Sequence, residues 1–201
     1  MMVGPDGVGK TTAARNVAAL YPGTSRYFHF RPPTRGRLLS LSDLEGAGQP
    51  MAKNDDPVWP PMGWLRLAVA FVRFWSGYLA TVRPALRRGD LVIGDRWAYP
   101  YIVQPTAVRF GGPERLARIA LALLPQADVV VSLAAPPLVI RARKDELTVT
   151  QIEHELQGWA RLPTPALHVV DATADPHHVA SEILSLAGID PRRSGDGGPG
   201  E

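Results

Sequence analysis

Eight residues near the start of the chain, Gly4-Pro5-Asp6-Gly7-Val8-Gly9-Lys10-Thr11, have the composition and spacing of a loop that holds phosphate. Glycines let backbone N–H groups turn inward around phosphate oxygens, and a helix beginning at once adds the partial positive charge of its first turn. Lys10 then bridges the β- and γ-phosphates, and the Thr11 hydroxyl holds Mg²⁺. A helical pattern, Thr12 to Leu20, follows without a gap, which is the context that separates a working loop from a chance match. The candidate ATP contacts are therefore Gly4, Asp6, Gly7, Val8, Gly9, Lys10, Thr11 and Thr12. A degenerate loop without a ligand is the alternative. Only Met1, Met2 and Val3 precede Gly4, which is short for a central strand, so the true start is expected upstream of Met1.

A second group follows the apolar run Leu91-Val92-Ile93-Gly94, which delivers Asp95, Arg96 and Trp97 at its end. Asp95 suits magnesium or its water, and Arg96 suits an anion. An ion pair at a strand end would use the same residues. A third group, Arg141, Arg143 and Lys144, sets cations close together after another apolar run. Phosphoryl transfer spreads charge over equatorial oxygens, and arginines that close over them stabilise it while excluding water. The competing reading is a solvated basic helix face beside Asp145 and Glu146.

Weaker candidates are Arg31, for the phosphate of an acceptor, and Arg73, which shares a helical face with Arg66 where solvent exposure is the simpler explanation. Trp97, Tyr99 and Tyr101 are able to stack on a base or to pack a core. The five histidines show no ligand spacing. Asp171, at the end of an apolar run, suits a helix cap.

These residues need a scaffold that brings distant segments to one edge. Leu91–Gly94, Asp128–Leu133 and Leu167–Val170 are short, apolar and β-branched, as buried parallel strands are, and Arg26–Phe30 is a weaker fourth. Between them lie helical patterns. Leu116, Ile119, Ala120, Leu123 and Leu124 share one face. Trp64 to about Arg88 forms a longer helix, weakened in its later turns by Gly77 and Pro84. Pro176 to about Ala187 makes the last. Strand alternating with helix predicts an α/β three-layer sandwich, a parallel sheet of about five strands with helices on both faces and ligands at the strands' carboxyl ends. One domain is expected over residues 1–190, with a mobile loop at about 34–61, a lid at about 141–150 and a disordered tail at 191–201.

Composition narrows the setting. The 201 residues include no cysteine, which removes disulfides, thiolate metal sites and cysteine nucleophiles. With 22 basic against 19 acidic residues the excess is too small to imply nucleic acid. The apolar stretch Ile119–Ile140 is interrupted by Pro125, Gln126, Asp128, Pro136 and Pro137, so no membrane span is expected there. The start lacks the apolar core of a signal peptide. A cytoplasmic location follows as the expectation.

The chain resembles the thymidylate kinase family of P-loop kinases. The likeness rests on Asp6 inside the loop, on Tyr78-Leu79-Ala80-Thr81-Val82-Arg83-Pro84-Ala85-Leu86-Arg87-Arg88-Gly89-Asp90 leading into Gly94-Asp95-Arg96-Trp97, and on Pro137-Leu138-Val139-Ile140-Arg141-Ala142-Arg143. It runs from Gly4 to about Ala187. The resemblance implies ATP and Mg²⁺ as cofactors, Asp6 near the acceptor's sugar hydroxyl, Arg96 on the acceptor phosphate, and Arg141 and Arg143 in a lid, since Gly7 and Val8 leave the loop without an arginine. Two segments depart from the family. His29-Phe30-Arg31-Pro32-Pro33 stands where an arginine-glutamate-proline-glycine-glycine segment is usual. Phe74 stands where an acceptor-binding arginine is usual, with Arg73 about 100° away around the helix.

The leading expectation is transfer of the γ-phosphoryl group of ATP to a nucleoside monophosphate, with Lys10, Asp95, Arg96, Arg141 and Arg143 in the chemistry and Asp6, Arg31, Arg73, Arg96 and Trp97 around the acceptor. A second keeps the donor but changes the acceptor to a nucleoside, sugar or other small alcohol, with Asp6 or Asp95 as base. A third is a nucleotide-binding regulator without transfer. A small nucleotide-like acceptor is the expected partner, a homodimer is among the expected assemblies, and neither nucleic acid nor membrane is expected.

Overall fold

The structure, a computed structural model, describes residues 1–40 and 60–190. Five parallel strands, β1 (Met2–Val3), β2 (Ser25–His29), β3 (Leu91–Asp95), β4 (Val130–Ala134) and β5 (Leu167–Asp171), form one sheet in the order β2-β3-β1-β4-β5. The strands read from the sequence reappear within one or two residues at each end. Their helices are α1 (Lys10–Leu20), α2 (Pro60–Gly77), α3 (Arg83–Arg87), α4 (Pro100–Val103), α5 (Glu114–Ala122), α6 (Pro137–Arg143), α7 (Val149–Trp159) and α8 (Pro176–Leu186).

The three layers follow from the two-residue period of strand side chains. Met2, Tyr27, Ile93, Val131 and Leu133 join a core with Val17 of α1 and Ile183 of α8. Their neighbours Val3, Phe28 and Val130 join a separate core with Phe74 of α2, Leu121 of α5 and Trp159 of α7. The α/β three-layer sandwich is thus the observed architecture.

Between α2 and α3 the helix does not break at its weak points. Gly77 is a place of close approach, because a Cβ there would lie 2.3 Å from the carbonyl oxygen of Pro32. A turn of π-helix, Tyr78–Val82, precedes Pro84. Its wider ring relieves the clash that a proline makes with the preceding turn. The Thr81 hydroxyl donates to the carbonyls of Gly77 (2.8 Å) and Pro33 (3.2 Å), tying this turn to the end of β2. By length and composition Pro61–Arg87 is the one candidate for a membrane span among the described residues. Its inner face is packed in the core through Leu67, Ala70, Phe74, Val82 and Ala85, whereas Leu65, Val69, Val72, Leu79 and Leu86 are exposed.

Two expectations need correction. Ile119 and Leu123, read as part of the buried face of α5, are exposed; Ala117 and Leu121 are buried instead. The face that joins the core cluster of Phe74 and Trp159 is the one carrying Ala117, Leu121 and Leu124, a choice that residue-by-residue apolarity does not record. Within the expected mobile loop, Leu39 pairs with Tyr27 in an antiparallel bridge and α2 already begins at Pro60. Its middle, 41–59, and the expected tail, 191–201, lie outside the described residues.

Candidate functional site

The loop after β1 wraps around its own backbone because its glycines adopt conformations other residues resist. Gly7 and Gly9 have φ of 85° and 111°. A Cβ on Gly7 would also meet Lys144 Cβ at 3.0 Å and the Ile140 carbonyl at 3.2 Å, so α6 can approach only a glycine. No side chain caps α1, which leaves the N–H groups of its first turn for a ligand. Lys10 donates from Nζ to the carbonyls of Gly4 (2.9 Å) and Pro5 (2.8 Å), with Asp6 Oδ1 at 3.6 Å. Burial lowers the Lys10 pKa, and the charge of Asp95 offsets part of that. The Val8 side chain is fully buried, so this residue offers a ligand only its backbone.

A cavity of about 640 Å³ opens here at the carboxyl ends of the strands, lined by Asp6–Lys10 of the loop but not Gly4, by Thr11, Thr12, His29, Asp95, Arg143 and Lys144, and by Ala172–Pro176. Asp95 is its most constrained member. Strand register sets His29 directly beside it, and the two-residue period brings Tyr27 to the same face. His29 donates from Nδ1 to Asp95 Oδ2 at 2.9 Å, and the Tyr27 hydroxyl donates to the same oxygen at 3.2 Å. Burial would raise the Asp95 pKa, but the His29 hydrogen bond and the charges of Lys10, His29 and Arg96 outweigh it and hold the carboxyl below its ordinary value. The other oxygen, Oδ1, is buried with no hydrogen-bond partner. That free carboxylate oxygen and the Thr11 hydroxyl fit the small protein contribution that Mg²⁺ takes when phosphates and water supply the rest. Among the described residues no cluster of three or more His, Cys, Asp or Glu side chains is arranged to hold a metal by itself.

Arg96 does not reach across an open crevice. Its side chain is 1% exposed, donating from one terminal nitrogen to Asp6 Oδ1 and from the other to Gln104 Oε1 at 3.1 Å. Its Nε is buried and has no partner. Burial would raise the Asp6 pKa, but Arg96 and then Lys10 outweigh it and hold the carboxyl down. Asp6 therefore links the loop to Arg96.

Trp97, expected against an acceptor base, is a core residue. It is buried, with Phe74 edge-on at 4.8 Å and Phe28 at 5.8 Å between ring centroids. Phe74 completes this packing with Phe30 and Tyr101, which explains why an apolar ring occupies that helix position. Arg31 lies over the Phe30 ring at 4.7 Å. The charge of the exposed Arg73 acts on both Arg31 and Tyr101, so the two arginines share a neighbourhood, but neither lines the cavity.

The three cations of the expected lid separate. Arg143 and Lys144 line the cavity, and Arg143 donates from Nη1 to the Val8 carbonyl at 3.3 Å. Arg141 is exposed and paired through Nε with Asp145 at 3.1 Å. Residues two apart on a helix point about 200° apart, so both arginines of α6 could not serve one cavity. At the far wall Asp171 shapes a turn, accepting from the N–H and hydroxyl of Thr173 at 2.8 and 2.7 Å. Asp175, not Asp171, caps α8.

In comparisons with known proteins, no family model and no curated sequence matches the chain.

Four residues around this site escaped sequence reasoning. His29 has no partner histidine at ligand spacing, and what matters is its register opposite Asp95. Tyr27 carried a usable signal, since it lies two residues before His29 and so on the same face of β2. Gln104 and Glu155, whose charge is felt at Lys10, arrive from α4 and α7 by packing alone.

Proposed function

We propose that this chain is an ATP-dependent phosphotransferase of the thymidylate kinase type, moving the γ-phosphoryl group to a nucleoside monophosphate. The observation that carries the reading is a single cavity into which the glycine loop, Lys10, Thr11, Asp95, Arg143 and Lys144 converge. The loop and the start of α1 would cradle the donor phosphates, with Lys10 leaving its carbonyl partners for the β- and γ-oxygens. Thr11 and Asp95 would hold Mg²⁺, which when bound would supply charge neutralisation. Arg143 and Lys144 stabilise the equatorial oxygens. Arg96 lies outside this lining and would bind an acceptor phosphate only by exchanging its partners Asp6 or Gln104.

A second reading, transfer to the hydroxyl of a nucleoside, sugar or other small alcohol, is favoured by one observation. His29 and Asp95 are paired on the cavity wall, a combination suited to orienting a hydroxyl acceptor. As an assembly, a second copy of the chain is proposed to cover the outer face of α2 and α3. Met62, Leu65, Val69 and Val72 are exposed there at the alternating three- and four-residue spacing of a helix-pair seam, and Leu79 and Leu86 extend the exposed apolar surface past the π-helical turn.

ADP release from ATP and Mg²⁺, measured over monophosphates, nucleosides and sugars with wild type and Lys10→Ala, tests the proposal. Monophosphate-dependent release lost in Lys10→Ala supports it; dependence on an uncharged alcohol promotes the second reading. ATP binding with no acceptor-dependent release leaves a non-catalytic regulator.

A further inference from the structure

A second basic cavity lies at the other end of β2 and β3 from Lys10. It encloses about 380 Å³ and is lined by Arg26, Arg37 and Arg88, with Thr81, Leu38 and the backbone of Gly36. Arg26 is three residues before His29 on β2, about 10 Å along the strand. The residues Arg88 and Asp90 come immediately before β3. This pocket shares no residue with the one that contains Asp95.

Its charge is unbalanced. Asp90 is the carboxylate at this site, and it is almost buried between Arg88 Nη2 at 3.1 Å and Arg26 Nε at 3.6 Å. That contact orients two guanidinium groups while leaving their remaining N–H donors free. Arg37 pairs with no carboxylate among the described residues. Among the described residues, three guanidinium groups stand against one carboxylate, an excess of two positive charges. All three arginines line one space of ligand size, Arg26 31% and Arg88 59% exposed, so their donors remain open to a ligand from solvent. The Leu38 side chain gives the cavity an apolar floor.

We propose that this cavity is a separate anion site for a small molecule carrying at least two negative charges on phosphate groups. Guanidinium forks match phosphate oxygens in pairs, and an excess of two charges matches a diphosphate or a phosphate dianion. The site is wired to Asp95 by the chain itself. The Gly36–Leu38 wall leads into Leu39, which exchanges two 3.0 Å backbone hydrogen bonds with Tyr27, and the Tyr27 hydroxyl holds Asp95 Oδ2. An occupant that draws Arg37 toward Arg88 therefore fixes the segment that braces Tyr27. The proposal stands independently of what the loop around Lys10 transfers.

Isothermal titration of the full chain with inorganic pyrophosphate separates the two sites. Two classes of binding are expected in wild type. Lys10→Ala weakens one, and Arg37→Ser with Arg88→Ser removes the other. Arg37→Ser alone takes no partner from any described residue; it is expected to weaken that second class about tenfold or more, with the melting temperature unchanged. A repeat with ADP distinguishes the phosphate's source: ADP in the second class identifies an esterified phosphate, and ADP confined to the Lys10 class identifies free pyrophosphate. A wild type in which no class of binding is weakened by the folded Arg37→Ser variant overturns the proposal. Loss of the Lys10 class alone would count against the phosphotransferase reading and leave this site standing.

Discussion

The two arginines of α6 give a comparison with its own control. Arg143 hangs over the glycine loop: its Nη1 is 3.3 Å from the Val8 carbonyl and 3.8 Å from where a Cβ on Gly9 would sit. Moved onto a transferring phosphoryl group, such a donor is worth about 10²–10³ in kcat, or roughly 3–4 kcal/mol of transition-state stabilisation. Arg141 is 48% exposed and Asp145 78% exposed. A pair of that kind on a helix contributes about 0.3–0.5 kcal/mol to folding, with nothing directed at the reaction. Arg143→Ala is therefore expected to lower kcat with the best acceptor by about two to three orders of magnitude, with a much smaller change in KM for ATP. Arg141→Ala should stay within about twofold of wild type. Steady-state ADP release measures both. Equal losses in the two variants would refute the argument that helix geometry divides them, and a pure KM effect in Arg143→Ala would make it an ordinary donor contact.

Further outcomes follow from packing and charge. Gly77→Ala raises helix propensity by about 1 kcal/mol, but its Cβ would lie 2.3 Å from a backbone oxygen; overpacking of this kind costs about 1–3 kcal/mol. A melting temperature lowered by several degrees is expected, and a rise would show that the α2 and Pro32 segments yield freely. Asp95 and Asp6 are both held below their ordinary 3.8. A depressed carboxyl stabilises the fold fully above the unfolded value and loses that contribution as pH falls through the lower folded one. Denaturant midpoints should thus be steady near neutrality and drop below about pH 4, and Asp95→Asn should flatten that drop; an identical acid limb in the variant would argue against it. The exposed apolar surface of α2 and α3 runs from Met62 to Leu86. Val72→Glu at its centre, where Val72 is 62% exposed, should leave the monomer folded and abolish dimer in light scattering, whereas a wild-type monomer at every concentration would remove the pairing proposal.

The sequence by itself determined the alternation of strands and helices, the glycine-rich loop before α1 and the acid at the end of β3. Each of those is local: a glycine conformation, a two-residue or 3.6-residue period, a short apolar run with a polar end. In the sequence Arg141 and Arg143 read together as a lid, because their closeness along the chain was weighed without the turn of α6 between them. Only the tertiary structure decided which cations reach the cavity. It also put Trp97 and Phe74 in the core, because mutual packing of five rings decides their burial and no periodicity encodes it. His29 became Asp95's partner through the β2-to-β3 register, a relation across 66 residues of chain. The basic cavity joins Arg26, Arg37 and Arg88 in the same way. Separately they read as solvated arginines, and they acquire a shared meaning only where the sheet edge, the returning segment and the helix end meet.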